Sequence, residues 1–181
     1  MEPAEYKASE VMHGGSSVTI RALKPSDRTE FLEAVRQCSS QSLYRRLFSP
    51  KQSFTEEEVA YFLNANFSDH VALVATLEEG GRSVIAGGAR FIVTRPGTAE
   101  VAFLVVDRYQ GHGIGPALMR HLVILARNAG LRELFAEVLA DNVFMLKLFE
   151  RSGMRSSARH ESGVVHVTLR LPERSDPCSS D

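Results

Sequence analysis

Residues 99–116 read Ala-Glu-Val-Ala-Phe-Leu-Val-Val-Asp-Arg-Tyr-Gln-Gly-His-Gly-Ile-Gly-Pro. An apolar strand runs into a glycine-rich turn, and the turn opens a long amphipathic segment. Gln110, Gly113 and Gly115 fit the pattern Gln-x-x-Gly-x-Gly. Such a turn aims several backbone N–H groups at one point, at the positive end of a helix, and suits a phosphate. It is neither of the two common phosphate loops. A Walker A loop ends in Gly-Lys-Ser/Thr, whereas this one ends Gly-Ile-Gly-Pro. The dinucleotide fingerprint needs a third glycine where this chain has Leu118.

The surrounding chain bounds the reading. Its 181 residues suffice for one domain with a real core. A hydrophobic content of 44% and a charged content of 24% are ordinary for a soluble globular protein. The formal net charge of −1 provides no global basic field, so neither nucleic acid nor an anionic membrane is an expected partner. No apolar run approaches the roughly 20 residues needed to span a bilayer. Met1 to Ser16 has no apolar core of a signal peptide. Two cysteines, Cys38 and Cys178, make no disulfide framework, which fits a cytoplasmic protein. The six histidines are scattered without zinc-ligand spacing, so no metal is expected.

The elements follow from pattern and punctuation. Residues 1–16 are polar and weakly patterned and read as a mobile arm. One domain covers 17–171, and the tail 172–181 reads as disordered. Val18–Leu23 alternates as a strand. A helix starts at Pro25 and Ser26, and two shorter helices fit Ser42–Phe48 and Thr55–Leu63, the second behind a Thr55/Glu58 capping box. Val71–Leu77 and Val84–Val93 are strands joined by Glu-Glu-Gly-Gly-Arg, a hairpin signal. Ala99–Val106 is a strand. Pro116–Asn128 is a helix with Pro116 suited to its first position and Gly130 closing it. Leu134–Leu139 is a strand, and Asp141 is placed to cap the next helix. Arg155–His160 and Val164–Leu171 close the domain as strands. This order predicts a mixed sheet with helices on both faces.

The strand, the glutamine, the two glycines and the following helix together resemble motif A of the GNAT superfamily, the acyl-CoA-dependent N-acyltransferases. The element order over the whole folded region is similar to that family too. The resemblance implies an α/β GNAT fold, with a central mixed, mostly antiparallel, twisted sheet of six to seven strands and helices on both faces. It implies acetyl-CoA as cosubstrate. Its pyrophosphate would lie on the backbone N–H groups of Gly111, His112, Gly113, Ile114 and Gly115, beside Gln110; Pro116 lines the site without a donor. Gly113 and Gly115 let the chain come close without a Cβ. His112 is either an added charge near phosphate or an exposed loop side chain. By resemblance, backbone N–H groups at Leu104, Val105 and Val106 polarise the thioester carbonyl, and the pantetheine arm enters beside that strand like an extra strand.

A lysine amine titrates near about 10.4, so a base must deprotonate it before it attacks. Glu100 is the candidate. It is a lone carboxylate on the strand face shared by Ala102, Leu104 and Val106, in an Ala-Glu-apolar context like that of family members that acetylate protein lysines. The alternative is a surface glutamate at a strand start. Glu137 matches the base position of some other members, with a structural ion pair as its plainer reading. Asp141 to Met154 resembles motif B. There Asn142 matches a residue that contacts coenzyme A near the pantetheine, and a helix cap is the plainer reading. Phe149 stands where many members carry a tyrosine as general acid. A thiol titrates near about 8.5, so its thiolate leaves tolerably without one.

Ser42–Ser49, the entry Asp69-His70-Val-Ala-Leu-Val, and Met145-Leu look like the bacterial protein-lysine acetyltransferases that modify acyl-CoA synthetases. Some of these carry a synthetase-like or cyclic-nucleotide domain. This length has room for neither, so a stand-alone catalytic domain is expected. Tyr44, Arg45 and Arg46 are candidates to dock a protein substrate, against a solvated basic helix face with Tyr44 in the core. The rival functions are acetylation of a small amine and coenzyme A sensing without turnover. Dimers are common in the family, making a homodimer an expectation without a legible interface.

Overall fold

The protein is described by a computed structural model over residues 2–12, 15–51 and 53–172. Strands β1 (Lys7–Val11) and β2 (Ser17–Ala22) precede helices α1 (Arg28–Arg36), α2 (Ser40–Leu47) and α3 (Glu56–Leu63). Strands β3 (His70–Glu79), β4 (Arg82–Arg95) and β5 (Thr98–Val105) lead into α4 (Ile114–Asn128). Then come β6 (Glu133–Leu139), α5 (Val143–Glu150), β7 (Arg155–Glu161) and β8 (Val164–Arg170). They form one sheet in the order β1-β2-β3-β4-β5-β6-β8-β7. Every neighbouring pair is antiparallel except β5 and β6.

Local chemistry sets most of these boundaries. Gly80 and Gly81, at φ 57° and 77°, turn β3 into β4 with the two positive φ angles that a type I′ hairpin needs. The Thr55/Glu58 capping box is formed, and Gly130 follows α4 at φ 75°. Helix α4 buries Leu118, Leu122 and Leu125 against β2–β5, whereas α1 and α2 lie against β4 and β5. Phe103 meets Phe149 of α5, with ring centroids 6.0 Å apart, on the α4 side. Ala102 and Leu104 point the other way, into an apolar cavity beneath α1 and α2. A Cβ at Gly87 would lie 2.9 Å from the Leu104 carbonyl oxygen, so glycine lets β4 close against β5.

The sheet has eight strands rather than six to seven. The extra one, β1, lies in the segment expected to be a mobile arm. Its alternation is weak because it is an edge strand with one half-buried face. Tyr6, just before it, is 6% exposed and bonds through its hydroxyl to Nδ1 of His121 on α4. Glu10 accepts from Nε2 of His121 at 2.7 Å and pairs with Arg120. These long-range partners hold a segment whose own pattern is faint. Helix α4 begins at Ile114, two residues before the expected Pro116. Proline is tolerated there because first-turn N–H groups have no intrahelical acceptor. Residues 173–181, and with them Cys178 and nearly all of the expected disordered tail, lie outside the described residues.

Candidate active site

The site is built on a gap in the sheet. Strands β5 and β6 pair only over Thr98–Glu133, Ala99–Leu134 and Glu100–Phe135, then separate. Beyond Glu100, one edge of β5 has no strand beside it. The register shows which groups face that edge. The Val106 N–H donates to the Ala86 carbonyl at 2.9 Å, and Leu104 lies opposite Gly88 in the same ladder. Antiparallel pairs alternate, so the N–H groups of Leu104 and Val106 are both turned toward β4. Those of Phe103 and Val105 face the gap. This corrects the expected donor set: Val105 stays, Leu104 and Val106 do not donate there, and Phe103 joins. Alternation along one strand is readable from sequence, but which parity faces which neighbour is not.

The gap opens into a cleft of ≈ 1200 Å³. That is above the roughly 300–1,000 Å³ of ordinary small-molecule pockets, as a long ligand requires. The cleft gathers Glu100, Leu104, Val105, Gln110, Gly111, Gly113, Ile114, Gly115, Pro116 and Asn142. Residues of α2 line it on one side and residues of α4 and α5 on the other, so it passes through the sheet at the gap. Val106 and His112 are outside its lining. Val106 is buried in the core at 2% exposure. His112 is exposed, with Nδ1 2.9 Å from the Gln110 carbonyl oxygen, which favours the plain loop reading.

At the floor of the turn, Gly111 and Gly113 take φ 79° and 90°, and Gly113 is the N-cap of α4. Among the described residues, no backbone N–H from 111 to 115 donates to another protein group. Five unpaired donors at the start of a 15-residue helix are the kind of arrangement that suits an anion. The Gln110 side chain does not join them. Its amide donates to the Val105 carbonyl at 3.0 Å and to Ser42 Oγ at 3.3 Å, locking the turn onto the strand end and α2.

Glu100 is exposed in the cleft, and among the described residues it makes no hydrogen bond or ion pair. Glu137 is exposed too, with its carboxylate 3.4 Å from Nδ1 of His166, as its plainer reading predicts. Asn142 takes the cap that Asp141 was expected to make: its Oδ1 accepts from the Met145 N–H at 3.3 Å. Its amide nitrogen has no partner among the described residues, so the cap leaves a donor in the cleft. Asp141 instead accepts from Arg45 at 3.2 Å, tying α2 to the start of α5 across the cleft. Tyr44 is 43% exposed rather than part of the core. Phe149 is 2% exposed and offers no proton.

Asp107 and Arg90 were not singled out from sequence, and Arg46 was read there only as a docking residue. Asp107 accepts from the Ser39 N–H at 2.8 Å and from the hydroxyls of Ser39 and Ser42 at 2.8 and 2.9 Å. Burial alone would raise its carboxyl, but these bonds outweigh burial and hold it below the usual carboxylate range. Asp107 thus fastens α2 over the strand end. Arg46 and Arg90 lie near Glu100 on the α2 side. No motif marks Arg90, and the Ser42–Ser49 segment marked Arg46 only for docking. Cys38 is no nucleophile, since burial first and then Asp107 push its thiol up to about 12. Among the described residues there is no group of three His, Cys, Asp or Glu side chains that could hold a metal, and no helix long and apolar enough to cross a membrane.

With this geometry in place, comparison with known proteins is decisive. Residues 39–154 match the model of the acetyltransferase (GNAT) family. The chain belongs to the GNAT acetyltransferases. This GNAT acetyltransferase is 36% identical over 157 residues to the acetyltransferase Pat of Mycolicibacterium smegmatis, covering 84% of the chain and 45% of that protein. It thus spans less than half the length of that relative. The GNAT domain of S. lividans PAT superposes with a TM-score of 0.83 at 33% identity, over 91% of this chain and 97% of that one. The yncA protein of Salmonella typhimurium, solved with its cofactor acetyl-CoA, shares the fold at a TM-score of 0.70 and 21% identity, over 90% and 99% of the two chains.

Proposed function

We propose that this GNAT acetyltransferase transfers an acetyl group from acetyl-CoA to a lysine amine of a protein, by direct attack in a ternary complex. The observation that carries the reading is the gap between β5 and β6, with Glu100 at its apex and unpaired N–H groups at its far end. The residues fit acetyl-CoA. The donors of 111–115 suit its pyrophosphate, and the free edge of β5 suits its amide-bearing arm. When bound, it supplies the thioester that the amine attacks.

Each step falls to a named group. Glu100, directly or through one water, takes the proton from the acceptor ammonium. The N–H groups of Phe103 and Val105 lie on the edge where an oxyanion would develop. The amine nitrogen forms the amide bond as the carbon–sulfur bond breaks; its second proton passes to water in the cleft, and the sulfur leaves as a thiolate, since Phe149 has no proton to give. Asn142 orients the arm through its free amide.

The protein acceptor is supported by the resemblance to lysine acetyltransferases and by the mouth of the cleft. Phe48 and Phe144 line it at 38% and 72% exposure, and large exposed apolar side chains around a site suit a macromolecular partner. The test is thiol release from acetyl-CoA with a purified bacterial acetyl-CoA synthetase as acceptor. Glu100→Gln should lower acceptor-dependent release by about 10²–10⁴-fold with acetyl-CoA binding intact. Release at the wild-type rate in that variant would remove Glu100 as the base. Release with small amines alone would move the acceptor to that class.

A further inference from the structure

The face that carries Glu100 also carries Arg90, and helix α2 adds Arg46 above it; among the described residues neither arginine is ion-paired. Ladder register places Arg90 opposite Ala102, and Glu100 two residues before Ala102 on the same face. Such diagonal neighbours are within reach of long side chains. Helix α2 sets Arg46 over the same place: it lines the apolar cavity together with Arg90 and the cleft together with Glu100. Arg90 is 8% exposed. Its guanidinium carbon lies 4.1 Å from the Phe62 ring centroid and 5.4 Å from that of Tyr61. Stacking uses the flat face of a guanidinium and leaves its N–H fork free for an in-plane acceptor. The one side-chain partner of that fork among the described residues is Nε2 of His70, at 3.5 Å. Arg46 makes no hydrogen bond or ion pair among the described residues, and no carboxylate of these residues lies within 4.0 Å of either group.

Holding a buried Arg90 and a half-buried Arg46 together beside a single carboxylate is unfavourable. Burial, and then the neighbouring Arg46, push Arg90 down to about 10; burial lowers Arg46 as well, against the opposing pull of Glu100. A guanidinium stays protonated in proteins, so both are cations at neutral pH, and Glu100 balances only one of them. The site therefore holds a surplus positive charge beside the base. An ammonium gains nothing from that charge, but an acceptor that brings an anion next to its amine does.

Resting on the acetyl-transfer reading above, we infer that Arg46 and Arg90 form a specificity subsite for a carboxylate carried a few bonds from the acceptor amine. Two sources share this chemistry: an acidic side chain flanking a target lysine, and the α-carboxylate of a free amino acid. The test measures kcat/KM for acetyl transfer with two acceptor pairs. One pair is a lysine peptide flanked by glutamate and the same peptide flanked by glutamine; the other is free lysine and lysinamide. The charged member of one pair should be preferred about tenfold or more, as hydrogen bonds to a charged group imply. The pair that discriminates names the source. Arg46→Gln should cut the preference to about twofold or less, and Arg46→Lys should keep part of it. If Arg46→Gln fails to fold, the wild-type comparison alone decides. Transfer at equal kcat/KM to charged and amide members of both pairs would overturn the subsite and leave acetyl transfer standing. Absence of transfer to every acceptor would remove the acetyl-transfer reading, and the subsite with it.

Discussion

Asp107 shows how much one side chain does for a site it does not touch. It stands directly after the strand that borders the cleft and accepts three hydrogen bonds from Ser39 and Ser42. Those bonds hold its carboxyl below the usual range, so the folded state favours the ionised form more than the unfolded chain does. The contribution is therefore present above the unfolded value, near about 3.9, and is lost as pH falls through the lower folded value. Asp107→Asn should lower the melting temperature at pH 7. The difference from wild type should narrow as pH drops below about 4, measured by thermal unfolding across pH. A constant difference down to pH 2 would mean that the carboxylate charge is not what holds α2. At this scale sequence reading singled out Glu100 as a candidate base and Arg46 only as a docking residue, and it passed over Asp107 and Arg90. Glu100 interrupts a strongly alternating strand, whereas the others derive their meaning from partners 10 to 70 residues away.

Among the elements, the glycine turn and the parted strands act together. The turn must expose donors, and Gly113 does so at φ 90°, a conformation that L side chains rarely adopt. Gly113→Val adds a branched side chain where backbone and ligand converge. Acetyl-CoA affinity should fall about tenfold, about 1.4 kcal/mol, because the branched side chain crowds the donors that would meet the phosphates. Titration calorimetry on the folded variant measures it, and unchanged affinity would place the cofactor elsewhere. This turn was legible because its requirement is local: particular residues at particular spacings. The parting of β5 from β6 was not. Nothing in Val101–Val105 or Ala136–Leu139 announces that pairing stops at Glu100 and Phe135. Beyond that point, residues of α2 line the gap on one side and residues of α4 and α5 on the other.

At the scale of the molecule, the sheet is tied from its first strand to its central helix. Tyr6 and Glu10 both bind His121, which is 8% exposed on α4, the helix that follows the glycine turn. Tyr6→Phe removes one buried hydroxyl and leaves Nδ1 of His121 without its partner. The expected cost is about 1 kcal/mol, or about 2–4 °C in melting temperature for a chain of this size. Differential scanning calorimetry decides this, and an unchanged midpoint would show that β1 is held by its backbone ladder alone.

The sequence by itself determined most of the helices and strands from β2 onward, to within a few residues at their ends, and a glycine turn of the kind that suits a phosphate. These depend on hydrophobic period, caps and glycine dihedrals, interactions that reach only a few residues along the chain. The tertiary structure alone decided that a polar N-terminal segment becomes an eighth strand and that Phe103 rather than Val106 faces the gap. It alone brought Arg46 and Arg90 to Glu100. Those outcomes depend on register and on side chains meeting across distant segments, where loop closure and packing rather than local preference set the geometry.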